Sequence, residues 1–303
     1  MWCTPAGALG YILSKTTGKN LIIDSYEPHA ESMVENGTWS KDSLKFKLLY
    51  WFERKQSNHA KTIIGLTEKT PEYALNKYQA QFKNYFTKPA LVELNSIQFE
   101  ISKYKQLRAS QNLENKIVGV YAGKLGGIYL KEEFFDFLKV ADDFWGNRLH
   151  FYFLTDTNES IINNYISNKK INSCSVITKF VSHKEVNNYL QIADFALNFV
   201  NPIPSKRYCT SIKDGEYWAM GLPVVITKNI SDDSDIIKTN KIGSVIERLE
   251  NEGYKNSILE INNLLINNSR EELYLKIRPI AEKYRNMELA EKIYKKIYKA
   301  KMD

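Results

Sequence analysis

The stretch Ser211-Ile-Lys-Asp-Gly-Glu216 sets a base and an acid three residues apart, after a polar loop and before the run Leu222-Pro-Val-Val-Ile226. Read as the start of a helix over about 212–220, this spacing puts Lys213 and Glu216 on one face. The first-turn N–H groups of such a helix lack intrahelical partners and favour an anion in front of them. Lys213 adds a point charge at the same place. Glu216 offers a carboxylate to two vicinal hydroxyls, as a ribose presents. One helix can therefore hold a ribose and a diphosphate together. Ser211 can cap it, with Asp214 echoing a capping box, and Gly215 removes a side chain where a ligand would approach. A Lys–Glu pair at this spacing is also a common surface ion pair, so the two residues alone do not decide.

A second loop, Ala122-Gly123-Lys124-Leu125-Gly126-Gly127, ends the apolar run Ile117–Ala122. It is neither the GxGxxG fingerprint nor a P-loop. Ligands of open α/β sheets sit at the carboxyl ends of strands, so Gly123 and Lys124 can face the same crevice as Lys213.

The elements that must position these residues are legible from 117 onward. Strand-like runs at 117–122, 149–154, 176–181, 195–200, 224–227 and 242–246 alternate with helical segments. The helix at 212–220 closes on Gly221, with Pro223 two residues on. This alternation calls for a parallel sheet covered on both faces, a doubly wound α/β domain over 113–285. In residues 1–112, Leu21–Asp24 and Thr62–Leu66 read as strands, and Pro89–Leu94 as a weaker third. A helix over 43–59 carries Leu44, Leu48, Trp51 and Phe52 on its apolar face. Three strands are few for a sheet, so this part reads as an incomplete Rossmann-like domain whose opening strands are absent. The last segment, 286–303, is a helix with the stripe Leu289, Ile293 and Ile297, expected to pack across to the first domain. Lys292, Lys295, Lys296 and Lys299 on its other side keep a basic helix touching a membrane as an alternative.

Of 303 residues, 43% are hydrophobic and 25% charged, the balance of a globular protein. The net charge of +7 is spread along the chain among 35 acidic residues, without a zinc finger, an RNA-recognition consensus or a compact basic tract. Nucleic acid is therefore not an expected partner. Cys3, Cys174 and Cys209 form no zinc or redox motif. With no signal-peptide layout and no apolar run of spanning length, a cytoplasmic protein is expected, with contact at the inner membrane face as a further option.

Residues 113–300 resemble the C-terminal half of the GT-B glycosyltransferases of the large retaining group called family 4, or group 1. The signature is Ser211-Ile-Lys-Asp-Gly-Glu-Tyr-Trp-Ala-Met-Gly-Leu-Pro-Val-Val-Ile226, supported by Tyr121-Ala-Gly-Lys124, Val186–Asp194 and Ile242-Gly-Ser-Val245. A looser match, Phe52–Ala60 and the strand after it, extends the resemblance over most of the chain. It implies transfer of a hexosyl-type sugar from a nucleotide-diphosphate donor to a glycan or lipid-linked acceptor in surface polysaccharide or glycolipid assembly. The nucleotide sugar is a substrate, and no cofactor or bound metal is implied. By the same resemblance Lys213 and Lys124 neutralise the departing diphosphate and Glu216 holds the ribose. Gly123, Ser211 and Ile212 complete the donor site, with Phe180 and Val181 near the base. Glu27 and His29, on the loop after the first strand, are the acceptor-side catalytic candidates beside Lys213.

Two departures from the pattern stand out. Tyr208 occupies the position of a donor-sugar Glu, and the family's opening strands have no counterpart. The alternative is therefore a catalytically incomplete donor-binding remnant, or a subunit whose partner chain completes the first domain. Asp233-Ser-Asp235 matches the D-x-D of metal-dependent GT-A transferases, a reading that helix-start acids weaken. An NAD enzyme is disfavoured by the missing GxGxxG.

Overall fold

The computed structural model describes residues 1–299, and the last four residues of the expected 286–303 segment lie outside the described residues. In the first part, helices α1 (Cys3–Thr17), α2 (His29–Glu35), α3 (Leu44–His59) and α4 (Thr70–Tyr78) surround strands β1 (Ile22–Tyr26), β2 (Thr62–Gly65) and β3 (Tyr85–Thr87). The three strands are parallel, in the order β1-β2-β3. After α5 (Ile101–Ser110) comes a second sheet of β4 (Ile117–Ala122), β5 (Leu149–Leu154), β6 (Val176–Lys179), β7 (Phe195–Asn198), β8 (Val224–Thr227) and β9 (Gly243–Ile246). Its order is β6-β5-β4-β7-β8-β9, parallel throughout. Strands are added outward on one side of β4 and the order then reverses to β7, which opens a crevice between those two strands. Helices α6 (Glu132–Trp145), α7 (Glu159–Asn168), α8 (His183–Ile192), α9 (Ile212–Ala219), α10 (Asp233–Asn240) and α11 (Asn251–Asn267) belong to this sheet. Two more, α12 (Arg270–Arg285) and α13 (Glu288–Lys299), follow.

The second sheet is buried on both sides, which is why its strands read as nearly unbroken apolar runs. One face packs Val118, Val120, Ala196, Val224 and Ile226 against α9, α12 and the segment around Val92. The other packs Phe151, Phe153, Phe195 and Leu197 against Phe134, Phe135, Phe137 and Leu138 of α6. The first sheet has a separate core around Ile23, Tyr26, Ile63, Tyr73 and Tyr78. The last helix does pack across: the Tyr294 hydroxyl donates to Asp24 at 2.5 Å, and Lys88 joins both at 2.9 and 3.0 Å.

Three expectations for the first part are corrected. The third strand is Tyr85–Thr87, and Pro89–Leu94 is instead a connection in which Val92 N–H donates to the Arg285 carbonyl at 2.7 Å. Residues 3–17 and 29–35 form helices where no element was legible. Helix α3 exposes the face expected to be buried, with Leu44 79% and Leu48 53% accessible. It buries Phe46, Glu53, Gln56 and Ser57 instead.

Glu53 explains that choice of face. Its side chain is fully buried and accepts from the Thr4 hydroxyl (3.1 Å), the Ala30 N–H (3.0 Å) and the Tyr78 hydroxyl (2.9 Å). One carboxyl thereby ties α1, α2 and α4 to α3, and a polar face with such partners goes inside at the expense of an apolar one. Burial pushes its pKa up to about 7, against the lowering effect of those three hydrogen bonds. The folded state therefore holds a proton that the unfolded chain has released, and stability falls as pH rises from about 4.5 to about 7. The loss attributable to Glu53 is about 3 kcal/mol at 1.36 kcal/mol per pH unit. Urea midpoints measured between pH 4.5 and 8 should decline for the wild type relative to Glu53→Gln; parallel curves would show that Glu53 folds without its extra proton.

Candidate functional site

The carboxyl ends of β4, β5 and β6 and the amino end of α9 converge on a cleft of about 350 Å³. It lies at the reversal between β4 and β7, where open α/β sheets bind ligands. Seven of the eight expected donor-site residues line it: Gly123, Lys124, Phe180, Val181, Ile212, Lys213 and Glu216. Ser211 sits just outside as the residue before α9 and makes no side-chain cap bond. The expected capping box with Asp214 does not form, because Asp214 turns inward.

Lys213 is the central group. It is nine-tenths buried, and its Nζ stands 3.7 Å from the Tyr129 ring centroid and 5.2 Å from that of Tyr121. Among the described residues no carboxylate lies within ion-pair distance of it, so two ring faces stand in for water. Burial lowers its pKa to about 8, with Asp214 and Glu216 resisting. Gly123 makes the room: with φ +153°, a Cβ there would come 2.6 Å from Lys213 Cε and 2.7 Å from Nζ. The Tyr121 hydroxyl donates to the Lys124 carbonyl at 2.6 Å, and the Tyr217 hydroxyl accepts from Ala122 N–H at 3.1 Å. These bonds fix the glycine loop over the lysine.

Glu216 opens onto the same cleft, with 12% of its side chain accessible. Its Oε1 meets His183 Nε2 at 3.1 Å. His183 itself is 85% accessible on the first turn of α8, so it approaches Glu216 from the solvent side. Lys124 is exposed and pairs with Asp156 at 3.8 Å across the rim. Phe180 is 79% accessible at the end of β6 and offers a bare ring to the cleft.

Below α9 lies a buried polar cluster. Asn198 Nδ2 donates to Asp214 Oδ2 at 2.7 Å, and Arg285 pairs with Asp233. Burial, then the charge of Asp233, pushes the Asp214 carboxyl well above the usual carboxylate range. Gly215 faces this layer and not the cleft: its Cβ would meet Val92 at 2.6 Å and Arg285 Cγ at 3.2 Å. The small residue serves close helix packing, which corrects its reading as a space for ligand.

Glu27 and His29 are brought together but do not line the cleft. His29 Nδ1 is 3.5 Å from Glu27 Oε1, and the Cys209 thiol points at Glu27 Oε2 at 3.5 Å. The Glu27 hydrogen bond raises the His29 pKa against its partial burial. Burial disfavours the Glu27 charge, yet bonds from His29 and Cys209 outweigh it and hold the pKa down. The pair therefore braces the loop leading into α9 from the facing domain. Tyr208 packs its ring on Tyr73 at 4.6 Å, another brace between the two parts. In the D-x-D segment, Asp233 faces Arg285 and Asp235 faces Arg207.

His183, which the sequence presents as a structural residue at a helix start, lines the cleft. The signal was present in Ser182-His-Lys-Glu185, a capping box that starts a helix immediately after the strand-end residues Phe180 and Val181. Tyr129 carried no signal, since only the fold of the glycine loop brings it over Lys213.

The Lys213 ammonium offers a ligand-free check. In ¹³Cε-lysine NMR its resonance should titrate near pH 8, while exposed lysines titrate near their usual ~10.4. A Lys213 midpoint at the exposed value would show that the tyrosine faces do not desolvate it.

No family model matches the chain, and no curated protein matches it in sequence. Solved structures do match in three dimensions. HepE from Anabaena, crystallised with UDP, superimposes with a TM-score of 0.75 at 12% identity, over 97% of this chain and 76% of that one. Sucrose-phosphate synthase from Thermosynechococcus elongatus gives 0.71 at 14% identity, over 99% and 73%. WaaG, a glycosyltransferase of lipopolysaccharide biosynthesis, gives 0.71 at 15%, over 96% and 80%. At such identities the likeness concerns architecture: the chain has the α/β fold of the GT-B glycosyltransferases, with two parallel-sheet units and a last helix packed across them.

Proposed function

We propose that the chain is a glycosyltransferase that binds a nucleoside-diphosphate sugar in the α9 cleft and transfers the sugar to an acceptor hydroxyl. The carrying observation is the desolvated, carboxylate-free Lys213 at the amino end of α9, one turn from Glu216. A buried cation without a partner gains more from an incoming diphosphate than an exposed one does. The helix N–H groups add to it, and the cleft's volume of about 350 Å³ is that of a small-ligand site. Phe180 supplies a ring face for a base, and Glu216 lies where ribose hydroxyls would follow the diphosphate. HepE, which shares the architecture, has been crystallised with UDP and with UDP-glucose.

In the transfer, the bond from sugar C1 to the β-phosphate oxygen breaks and its electron pair stays on that oxygen. The acceptor oxygen forms the new bond to C1 and passes its proton to the departing diphosphate oxygen. Charge grows on the diphosphate, so a lysine and helix dipole already aimed there stabilise the transition state more than the ground state. Lys124, freed from Asp156, can follow the diphosphate as a second cation. Glu27 and His29 are assigned to the acceptor side, holding the loop that positions α9. We extend the proposal, on the sequence resemblance, to a metal-independent, retaining transfer of a hexose into a surface polysaccharide or glycolipid.

Lys213→Ala and Glu216→Ala should each weaken UDP binding by about 10- to 100-fold in calorimetry, the scale of a charge-assisted hydrogen bond. Both variants should keep the wild-type circular dichroism. UDP bound at wild-type affinity by both would remove the assignment. With UDP-sugars and excess chelator, release of UDP by the wild type and its loss in Lys213→Ala is the expected activity result. Binding without any turnover across a panel of donors and acceptors would leave a binding protein and refute the enzyme.

A further inference from the structure

The first sheet has a second cleft, at the end opposite the donor side. Lys19 precedes β1, Lys61 precedes β2 and Lys83 precedes β3, so the amino ends of three adjacent parallel strands each carry a lysine. With Lys15 from the last turn of α1 they line a cavity of about 480 Å³ that also includes Ser14 and His59. Among the described residues no acidic one lines it. Among the described residues none of these four ammonium groups meets a carboxylate within 4.0 Å.

Ordinary helix-end compensation accounts for only part of this charge. Two helices end at the cavity, α1 at Thr17 and α3 at His59. Each carboxyl end supplies about half a negative elementary charge, which leaves an excess of about three positive charges. Some lysines elsewhere do have carboxylate partners, as Lys77 has Glu31 and Lys169 has Asp136. His59 shows the local field, since burial and then Lys15 and Lys83 lower its pKa. Its ring is fixed for a role in the wall: the Ser14 hydroxyl donates to the Lys19 carbonyl at 2.5 Å, so its oxygen accepts from His59 Nε2–H at 2.8 Å. Nδ1 is then the nitrogen that gains a proton when an anion arrives.

We propose that this lysine cleft, formed by Lys15, Lys19, Lys61 and Lys83 with His59 in its wall, is a second anion site that takes a phosphate-bearing ligand. It is independent of the donor cleft, because it lies at the amino ends of the first sheet's strands, whereas nucleotide binding is assigned to carboxyl ends of the second sheet. A bound phosphate offsets the mutual repulsion of the four lysines and favours charged His59.

His59 is a local reporter, so its imidazole resonances in the full chain distinguish this site from the donor cleft. Inorganic pyrophosphate, added at constant ionic strength, should raise the His59 titration midpoint by about one pH unit, saturably. The Lys61→Gln/Lys83→Gln variant should lose that response while binding UDP as the wild type does, which also certifies its fold. A flotation assay with phosphatidylglycerol or phosphatidylcholine vesicles separates the sources. Flotation that needs phosphatidylglycerol and is lost in the double variant assigns a lipid headgroup. A His59 response to pyrophosphate without flotation assigns a soluble phosphate. A His59 midpoint unmoved by pyrophosphate together with no selective flotation overturns the proposal, as does a double variant that responds like the wild type.

Discussion

Arg285 underpins the donor cleft from a position that never reaches it. Its side chain is fully buried, pairs with Asp233 at the start of α10, and donates to the Ala90 carbonyl at 2.9 Å. Its stem closes on Gly215 of α9, and its guanidinium stands 5.4 Å from the Trp218 ring centroid. A guanidinium without partners is very costly to bury, so these contacts must all form together. One arginine thereby fixes the end of α12, the connection from the first sheet, α9 and α10 relative to one another. The direction of α9's amino end, and with it the place of Lys213 and Glu216, depends on that joint. Asp214 is pressed against the same cluster, where burial and then the charge of Asp233 push its carboxyl well above the usual carboxylate range.

How much of this was legible follows from what each residue packs against. The second sheet read correctly because its strands are buried on both faces, and unbroken apolar runs such as Val118–Tyr121 leave little else to be. Lys213 and Glu216 were legible because helix periodicity alone puts them on one face. The first part was opaque for a definite reason. Its helices bury polar and small residues: α1 turns Thr4, Gly7 and Gly10 inward, and α3 turns Glu53 and Gln56 inward. Gly7 lies so close to Gln56 that a Cβ there would stand 1.7 Å from its Oε1. Hydrophobic periodicity sees only apolar faces, so it chose Leu44, Leu48 and Trp51, which the fold leaves outside. His183, Tyr129 and the packing role of Gly215 depend on contacts between elements far apart in sequence, which no local pattern encodes.

Besides the Tyr73–Tyr208 ring contact, the two parts meet near the cleft through polar contacts. Lys206 donates to Ser32 at 2.9 Å, Glu35 accepts from Ser205 N–H at 2.8 Å, and Asp232 accepts from Glu68 N–H at 2.7 Å. Each of these bonds has a charged partner and is worth about 1.5–3 kcal/mol. Further coupling comes from the Asp24–Lys88–Tyr294 set under α13 and from the Arg285 cluster.

Charge is used in two different ways in this molecule. Arg108, Arg270 and Arg285 are buried with carbonyl or carboxylate partners in place, and they act as cross-links. Among the described residues Lys213 and the four lysines beneath the first sheet have no such partner, and the fold bears their desolvation or repulsion unrelieved. Arginine's planar fork suits the first use and lysine's compact point charge the second. A net charge of +7 is then less a property of the whole surface than a sum over sites of unequal meaning. The residues that compensate one another hold the structure, and those left uncompensated at a cleft mark where an anion completes it.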